Sequence, residues 1–181
     1  MGTFVALIRG IGPGDPRKSN ESLRGVLEEL GYGDVRSVIS SGNVVFTSGD
    51  PDVDAEDTDA LGDRIEAAWP ELRGFKATTI VRSRSQLAAL VEKLPYGDLP
   101  HGKESYQLVS FFKHPAERTE EPPEGMAIKV LGVVDGALCT VSDTTVTGTP
   151  DAMQWLERTY SKELTTRTPL TLARILKKMA G

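Results

Sequence analysis

Arg9, Gly10, Gly14, Arg17 and Lys18 fall within ten residues of one another, where a short apolar run, Thr3–Ile8, gives way to a glycine- and proline-rich loop. A strand that turns through glycines into a helix points backbone N–H groups at an anion, and cations beside such a turn suit a phosphate or a carboxylate. The spelling departs from the familiar phosphate cradles. A dinucleotide fingerprint started at Gly10 needs a glycine at position 15, where Asp15 stands. Gly12–Ser19, GPGDPRKS, approaches a P-loop but sets Arg17 where the second glycine belongs. Pro13 and Pro16 also remove N–H donors from the loop. Two readings stand: a modest anion site made by Arg9, Arg17, Lys18 and the helix start, or a turn that serves the backbone alone.

Thr165, Thr166 and Arg167 form a second polar group, just ahead of a helix opened by Pro169. A guanidinium with two hydroxyls can grip a phosphate or carboxylate at two points. The alternative is local: Thr168 caps the helix and Arg167 pairs with a nearby carboxylate. Other chemistry is sparse. His101 and His114 have no visible Ser or Cys partner for nucleophilic work and no metal-ligand spacing with nearby acids, so no metal or cofactor is expected. Cys139 is expected to be a small buried residue on a strand, and Trp69 and Trp155 to pack from helix stripes. Tyr106, Phe111 and Phe112 could offer a base-stacking face, although the basic-aromatic signature of RNA-binding sheets is missing.

The elements that must position these residues can be read from periodicity. Thr3–Ile8 predicts a buried strand, and Leu23, Val26, Leu27 and Leu30 a helix capped by Ser19 or Asn20 and stopped by Gly31. Val35–Ile39 and Val44–Thr47 flank Ser40-Ser41-Gly42-Asn43 as a hairpin, because Gly42 and Asn43 tolerate positive φ. Leu61, Ile65, Ala68, Trp69 and Leu72 mark a second helix stripe, and Lys76–Val81 a fourth strand. Strand, helix, strand, strand, helix, strand is the split βαβ, ferredoxin-like plan. Ser83 and Gln86 then form a capping box for a third helix over Leu87–Leu94. Beyond a linker come strands at Tyr106–Phe112, Ala127–Leu131 and Ala137–Val141, the last two joined by an Asp135-Gly136 turn. Helices begin at Thr149-Pro150 and Thr168-Pro169. The whole is an α+β chain of two ferredoxin-like (split βαβ) subdomains with mainly antiparallel sheets. Its expected parts are a ferredoxin-like subdomain at 1–82, a helix and linker at 83–104, and a degenerate second copy with C-terminal helices at 105–181. Taking the first and third strands as parallel sets the Arg9 loop beside the acidic stretch after Thr47. It also sets the Ser41-Gly42 turn a strand length away, at the opposite edge.

Among 181 residues, 21 Lys and Arg face 26 Asp and Glu, for a net charge of −5. Acids crowd Asp50–Glu66, read as a mobile connection entering a helix N-terminus, and bases crowd Arg158–Lys178, read as a solvated helix face. An acidic chain is a poor general nucleic-acid binder. No apolar run approaches the roughly 20 residues of a membrane span. Met1–Ile8 lacks the basic leader of a secretion signal, and a lone cysteine suits a reducing compartment, so a cytoplasmic protein without a membrane partner is expected.

Arg9-Gly10-Ile11, then Ser41-Gly42-Asn43-Val44-Val45-Phe46, then Thr166-Arg167 with Thr171 resemble the bacterial family known as domain of unknown function 1697. The resemblance spans nearly the whole chain. It implies a small, cytoplasmic α+β protein of two ferredoxin-like subdomains, and it implies no reaction. Two stretches depart from the family pattern. The usual Arg-Gly-Ile-Asn-Val-Gly-Gly here has Gly12, Pro13 and Asp15 in place of the Asn, the Val and the second Gly, while Gly14 stays. The usual Thr-Arg-Asn-Trp-Asn-Thr reads Thr166-Arg167-Thr168-Pro169-Leu170-Thr171, without the Trp and both Asn. If those groups hold a ligand in other members, this chain holds it differently or not at all.

Three functional classes follow. The first is binding of an anionic, phosphorylated small molecule in a cleft between subdomains, through Arg9, Gly10, Gly14, Arg17, Lys18, Thr165, Thr166 and Arg167. The second is an RNA- or other nucleic-acid-binding module using the basic C-terminal helices. The third is an enzyme whose site is not recognisable from the chain. Oligomeric state is not readable from these patterns.

Overall fold

The computed structural model describes residues 1–49 and 57–181. Of the acidic stretch Asp50–Glu66, expected to be a mobile connection entering a helix, residues 50–56 lie outside the described residues. The chain divides into two compact units, Met1–Ala89 with Leu172–Gly181, and Leu90–Thr171.

In the first unit the order is β1 (Gly2–Ile8), a short 3₁₀ turn (Pro16–Lys18), α1 (Asn20–Glu29), β2 (Gly33–Ser37), β3 (Asn43–Ser48), α2 (Asp59–Arg73) and β4 (Thr79–Ser83). The strands lie in the sheet order β2-β3-β1-β4. Alternation explains the core. Phe4, Ala6 and Ile8 of β1 share a face with Val44 and Phe46 of β3 and Val81 of β4, and that face packs on Leu23, Val26 and Leu27 of α1 and Leu61, Ile65, Ala68 and Trp69 of α2. The other face, with Val5, Leu7, Val45 and Ile80, is buried as well, which is why β1 reads as a continuous apolar run. Helix ends follow the local chemistry. Ser19 Oγ accepts the Ser22 N–H at the start of α1, and Gly74, at φ 73°, caps α2 by donating its N–H to Pro70 O. The capping box is formed in both directions: Ser83 Oγ accepts from Gln86 N, Gln86 Oε1 accepts from Ser83 N, and α3 (Arg84–Glu92) begins there.

Strand direction corrects one expectation. β1 is antiparallel to β3, with Leu7 opposite Asn43 and Gly2 opposite Ser48. The reason is topological. A helical crossover returns β2 parallel to β1, and a hairpin then reverses β3, so β3 must oppose β1. The Arg9 turn and the Ser41-Gly42 bend are therefore neighbours, joined by a hydrogen bond from Ile8 N to Gly42 O of 2.9 Å. Conversely, β3 ends beside Gly2, away from Arg9, and it is the far end of the acidic stretch, Asp63 and Glu66, that shares a cavity with Arg9.

The hairpin itself differs in detail. β2 ends at Ser37, and Ile39 takes a left-handed backbone, φ 51°, rather than strand geometry. Val38 N donates to Asn43 O, and Asn43 Nδ2 returns bonds to Val38 O (3.1 Å) and Ser41 Oγ (3.0 Å), closing the bend around a buried amide.

The second unit holds β5 (Tyr106–Phe112), β6 (Ile128–Val134), β7 (Ala137–Ser142), α4 (Thr149–Thr159) and β8 (Leu164–Arg167), in the sheet order β6-β7-β5-β8. That order repeats the first sheet, strand for strand, and again all pairings are antiparallel. Where the first unit has α1, this one runs through Pro115, Pro122 and Pro123, residues that do not support a helix interior. Phe112, Leu138 and Leu164 pack against Ala152, Trp155 and Leu156 of α4. Two sheet-and-helix units of ferredoxin-like plan thus make up a mixed α+β chain. The last helix, α5 (Pro169–Met179), buries Leu172, Ile175 and Met179. No described helix is long and apolar enough to cross a membrane.

Candidate functional site

Antiparallel pairing delivers two chain segments to one end of the first sheet. β1 ends there, β4 begins there, and Arg9 N donates to Thr78 O at 2.9 Å across the gap. The residues just before β4 are consequently close to those just after β1. Together with one face of α2 they enclose a cavity of about 620 Å³, lined by Arg9, Gly10, Lys18, Asp63, Glu66, Ala67, Pro70, Lys76, Ala77 and Thr78.

Each wall has a local cause. Asp63, Glu66, Ala67 and Pro70 recur at helical spacing, so α2 presents them as one stripe. Glu66 Oε2 accepts the Thr79 N–H at 2.9 Å, tying that stripe to the start of β4. Lys18 is carried in by the 3₁₀ turn. Its Nζ reaches Gly10 O at 3.5 Å and sits 5.3 Å from the centroid of the Phe75 ring. Lys76 stands exposed on the short connection into β4. Behind the wall, buried Trp69 donates through Nε1 to Thr79 Oγ1 at 2.8 Å and stacks on Phe75 with centroids 5.5 Å apart. The lip of the cavity is therefore anchored in the core.

The backbone plays a smaller part than the glycine-rich spelling suggests. The N–H groups of Ile8, Arg9, Lys18 and Ser19 all bond to backbone carbonyls, and Arg17 N bonds to Asp15 Oδ1. These five N–H groups are therefore not open to a ligand.

Arg17 lies elsewhere. It forms two side-chain bonds to Asp15, at 3.0 and 2.8 Å, and one to Gly74 O at 2.9 Å, stitching the loop to the end of α2. The guanidinium hydrogen bond holds the Asp15 carboxyl below its ordinary range, and Asp15 in turn raises Arg17. Gly14 lines a second cavity of about 900 Å³, with Gly12, Asp15, Ser19, Asn20, Arg24 and Ser40 among its walls. Lys18 borders both cavities.

Thr165, Thr166 and Arg167 belong to the second unit, and they form a strand rather than a helix lead-in. β8 lies along β5, with Val109 opposite Arg167 and Phe111 opposite Thr165. Arg167 is buried. Its Nη1 donates to Thr165 Oγ1 at 2.6 Å and Thr166 O at 2.7 Å, and burial pulls the guanidinium down to about 10. Thr168 Oγ1 accepts the Thr171 N–H at 3.3 Å and caps α5.

Phe111 and Phe112 are buried and present no open stacking face, while Tyr106 leans on the His101 ring. His101 Nδ1 accepts the Gln107 N–H, and His114 stands exposed, 3.9 Å from Glu163. Among the described residues no group of three metal-ligating side chains occurs. Cys139 is fully buried, and burial pushes its thiol up to about 11. The sequence reading missed Lys76, Asp63, Glu66 and Thr78. The signal was available in the strand order: once β4 is placed antiparallel beside β1, the residues preceding it must adjoin Arg9 and Gly10.

The fold defines a class: a ferredoxin-like α+β protein, here with a cavity lined by both bases and acids where β1 ends. The chain belongs to the family described as Protein of unknown function (DUF1697), which it matches over residues 1–124. Among solved structures it is similar to the conserved bacterial protein SP0830 from Streptococcus pneumoniae. The TM-score is 0.67 and the identity 19%, covering 100% of this chain and 99% of that one. That likeness is one of fold. Among curated proteins none matches.

Proposed function

We propose that this protein binds an anionic small molecule, a phosphate ester by class, in the cavity at the end of β1. The observation that supports the reading is the pair Lys18 and Lys76 on the cavity wall beside Arg9. Among the described residues neither lysine ends on a carboxylate: Lys18 meets a carbonyl and a ring, and Lys76 stands exposed. Ammonium groups placed without an acid of their own are available to an incoming phosphate. The cavity volume falls in the range used for small ligands. A single, buried cysteine suits a reducing compartment, which supports placing the protein in the cytoplasm.

The test is thermal shift and calorimetric titration with inorganic phosphate and simple phosphate esters, with chloride matched for ionic strength. A ligand at a hundred times its Kd stabilises by about 2.7 kcal/mol, a readily measured rise in Tm. Lys18→Ala and Lys76→Ala should each weaken binding, and the double variant should abolish it. Absence of any shift with phosphate or its esters, or equal shifts in the double variant, would overturn the reading.

A further inference from the structure

Lys18 belongs to the walls of two cavities, the one of about 620 Å³ where β1 ends and the one of about 900 Å³ that also borders the start of α1. Each holds a further cation of its own: Lys76 lines only the first, Arg24 only the second. Arg24 is half-buried on α1, and its Nη1 donates to Ser37 Oγ at 3.0 Å. Among the described residues that is the one bond its guanidinium makes, and no carboxylate ends on it. Five N–H donors in a rigid planar fork match a carboxylate or phosphate at two points, so most of this group is open to an oxyanion. The neighbouring wall residues have other bonds or lie in water. Asp15 is held by Arg17, Asn20 Nδ2 donates to Ile39 O at 3.1 Å, and Glu21 is exposed, where water and salt screen it. Resting on the anion-binding reading above, we infer that the ligand carries two acidic groups: a phosphate at Lys18 and Lys76, and a second phosphate or a carboxylate that reaches Arg24. A simple monoester uses the lysines and leaves the guanidinium to water.

The experiment is calorimetry on the full chain with butyl phosphate and with two series of increasing chain length, the alkanediol bisphosphates and the carboxylates phosphorylated at their far end. One spacer length should bind roughly tenfold or more tightly than butyl phosphate, the gain expected of one charge-assisted pair. Which series contains it identifies the second group as phosphate or carboxylate. Arg24→Gln should bring that compound down to the affinity of butyl phosphate and leave butyl phosphate itself unchanged. Ser37→Ala removes only the protein acceptor on Arg24, so it should keep the gain or enlarge it. Equal affinity for butyl phosphate and every two-headed compound overturns the inference and leaves the anion reading intact. So does a gain that is the same at every spacer length or survives Arg24→Gln, because charge alone would then account for it. Loss of the gain in Ser37→Ala also overturns it, since Arg24 would then act only through its bond to Ser37. No binding by any of the compounds overturns both readings.

Discussion

Replacing Gly42 with alanine sets a methyl group where two chain segments already meet. A Cβ there would lie 2.6 Å from Ile8 O, 2.8 Å from Ile11 Cγ1 and 3.0 Å from Ile11 Cβ, at a backbone φ of 77°. Left-handed geometry alone costs an L-residue about 1–2 kcal/mol. The carbonyl cannot simply retreat, because Ile8 N is bonded to Gly42 O and Arg9 N to Thr78 O, which fixes the turn on both sides. Forcing the extra carbon in should add a further 1–3 kcal/mol or so, as for other overpacked sites. The total is about 3 kcal/mol, or a fall in Tm of roughly 6–12 °C for a chain of this size. Gly14 supplies the control, since it too has positive φ, 99°, but nothing within 4 Å of its Cβ position. Gly14→Ala should show the backbone cost alone, about 1–2 kcal/mol. Urea melts of the two variants separate contact from conformation. Equal losses would refute the claim that the Arg9 turn and the Gly42 bend are packed against each other.

Trp69→Phe removes the Nε1 hydrogen bond to Thr79 Oγ1 and part of a fully buried ring. Thr79 keeps its own bond to Ala77 O, so the loss should be about 2–3 kcal/mol in a urea melt rather than a collapse of the fold. Cys139 makes a pH prediction. Burial raises its folded value to about 11, so between its ordinary range and that value the native state keeps a proton that the unfolded chain has lost. Its contribution to stability is complete below about pH 8.5 and declines as pH rises toward 11, a slope that Cys139→Ala should remove. At pH 8.5 a thiol reagent should label Cys139 promptly in urea and only slowly in the native protein; prompt native labelling would contradict its burial.

What the chain disclosed early was whatever depends on local pattern. The 3.6-residue recurrence of Leu23, Val26 and Leu27, the Ser83–Gln86 box and the Asp135-Gly136 turn each appear where their chemistry puts them. Strand bounds drifted where β-branched residues continue past the ladder, as at Ile39, which a buried Asn43 amide pulls into a bend. Leu164–Arg167 was hidden because four residues are too few for a period and the neighbouring Pro169 draws attention to the helix that follows. The cavity was only half legible. Arg9 and Lys18 announce themselves in a glycine-rich loop, whereas Lys76 gains meaning only from β4 lying antiparallel to β1.

Each unit keeps a single indole in its interior, Trp69 in the first and Trp155 in the second. The chain contains no others, so in a variant lacking one the tryptophan emission comes from one half only. Fluorescence of such paired variants resolves whether the halves melt at the same denaturant concentration. Should their midpoints separate, no single unfolding free energy describes the chain, and each substitution must be scored by the indole of its own half.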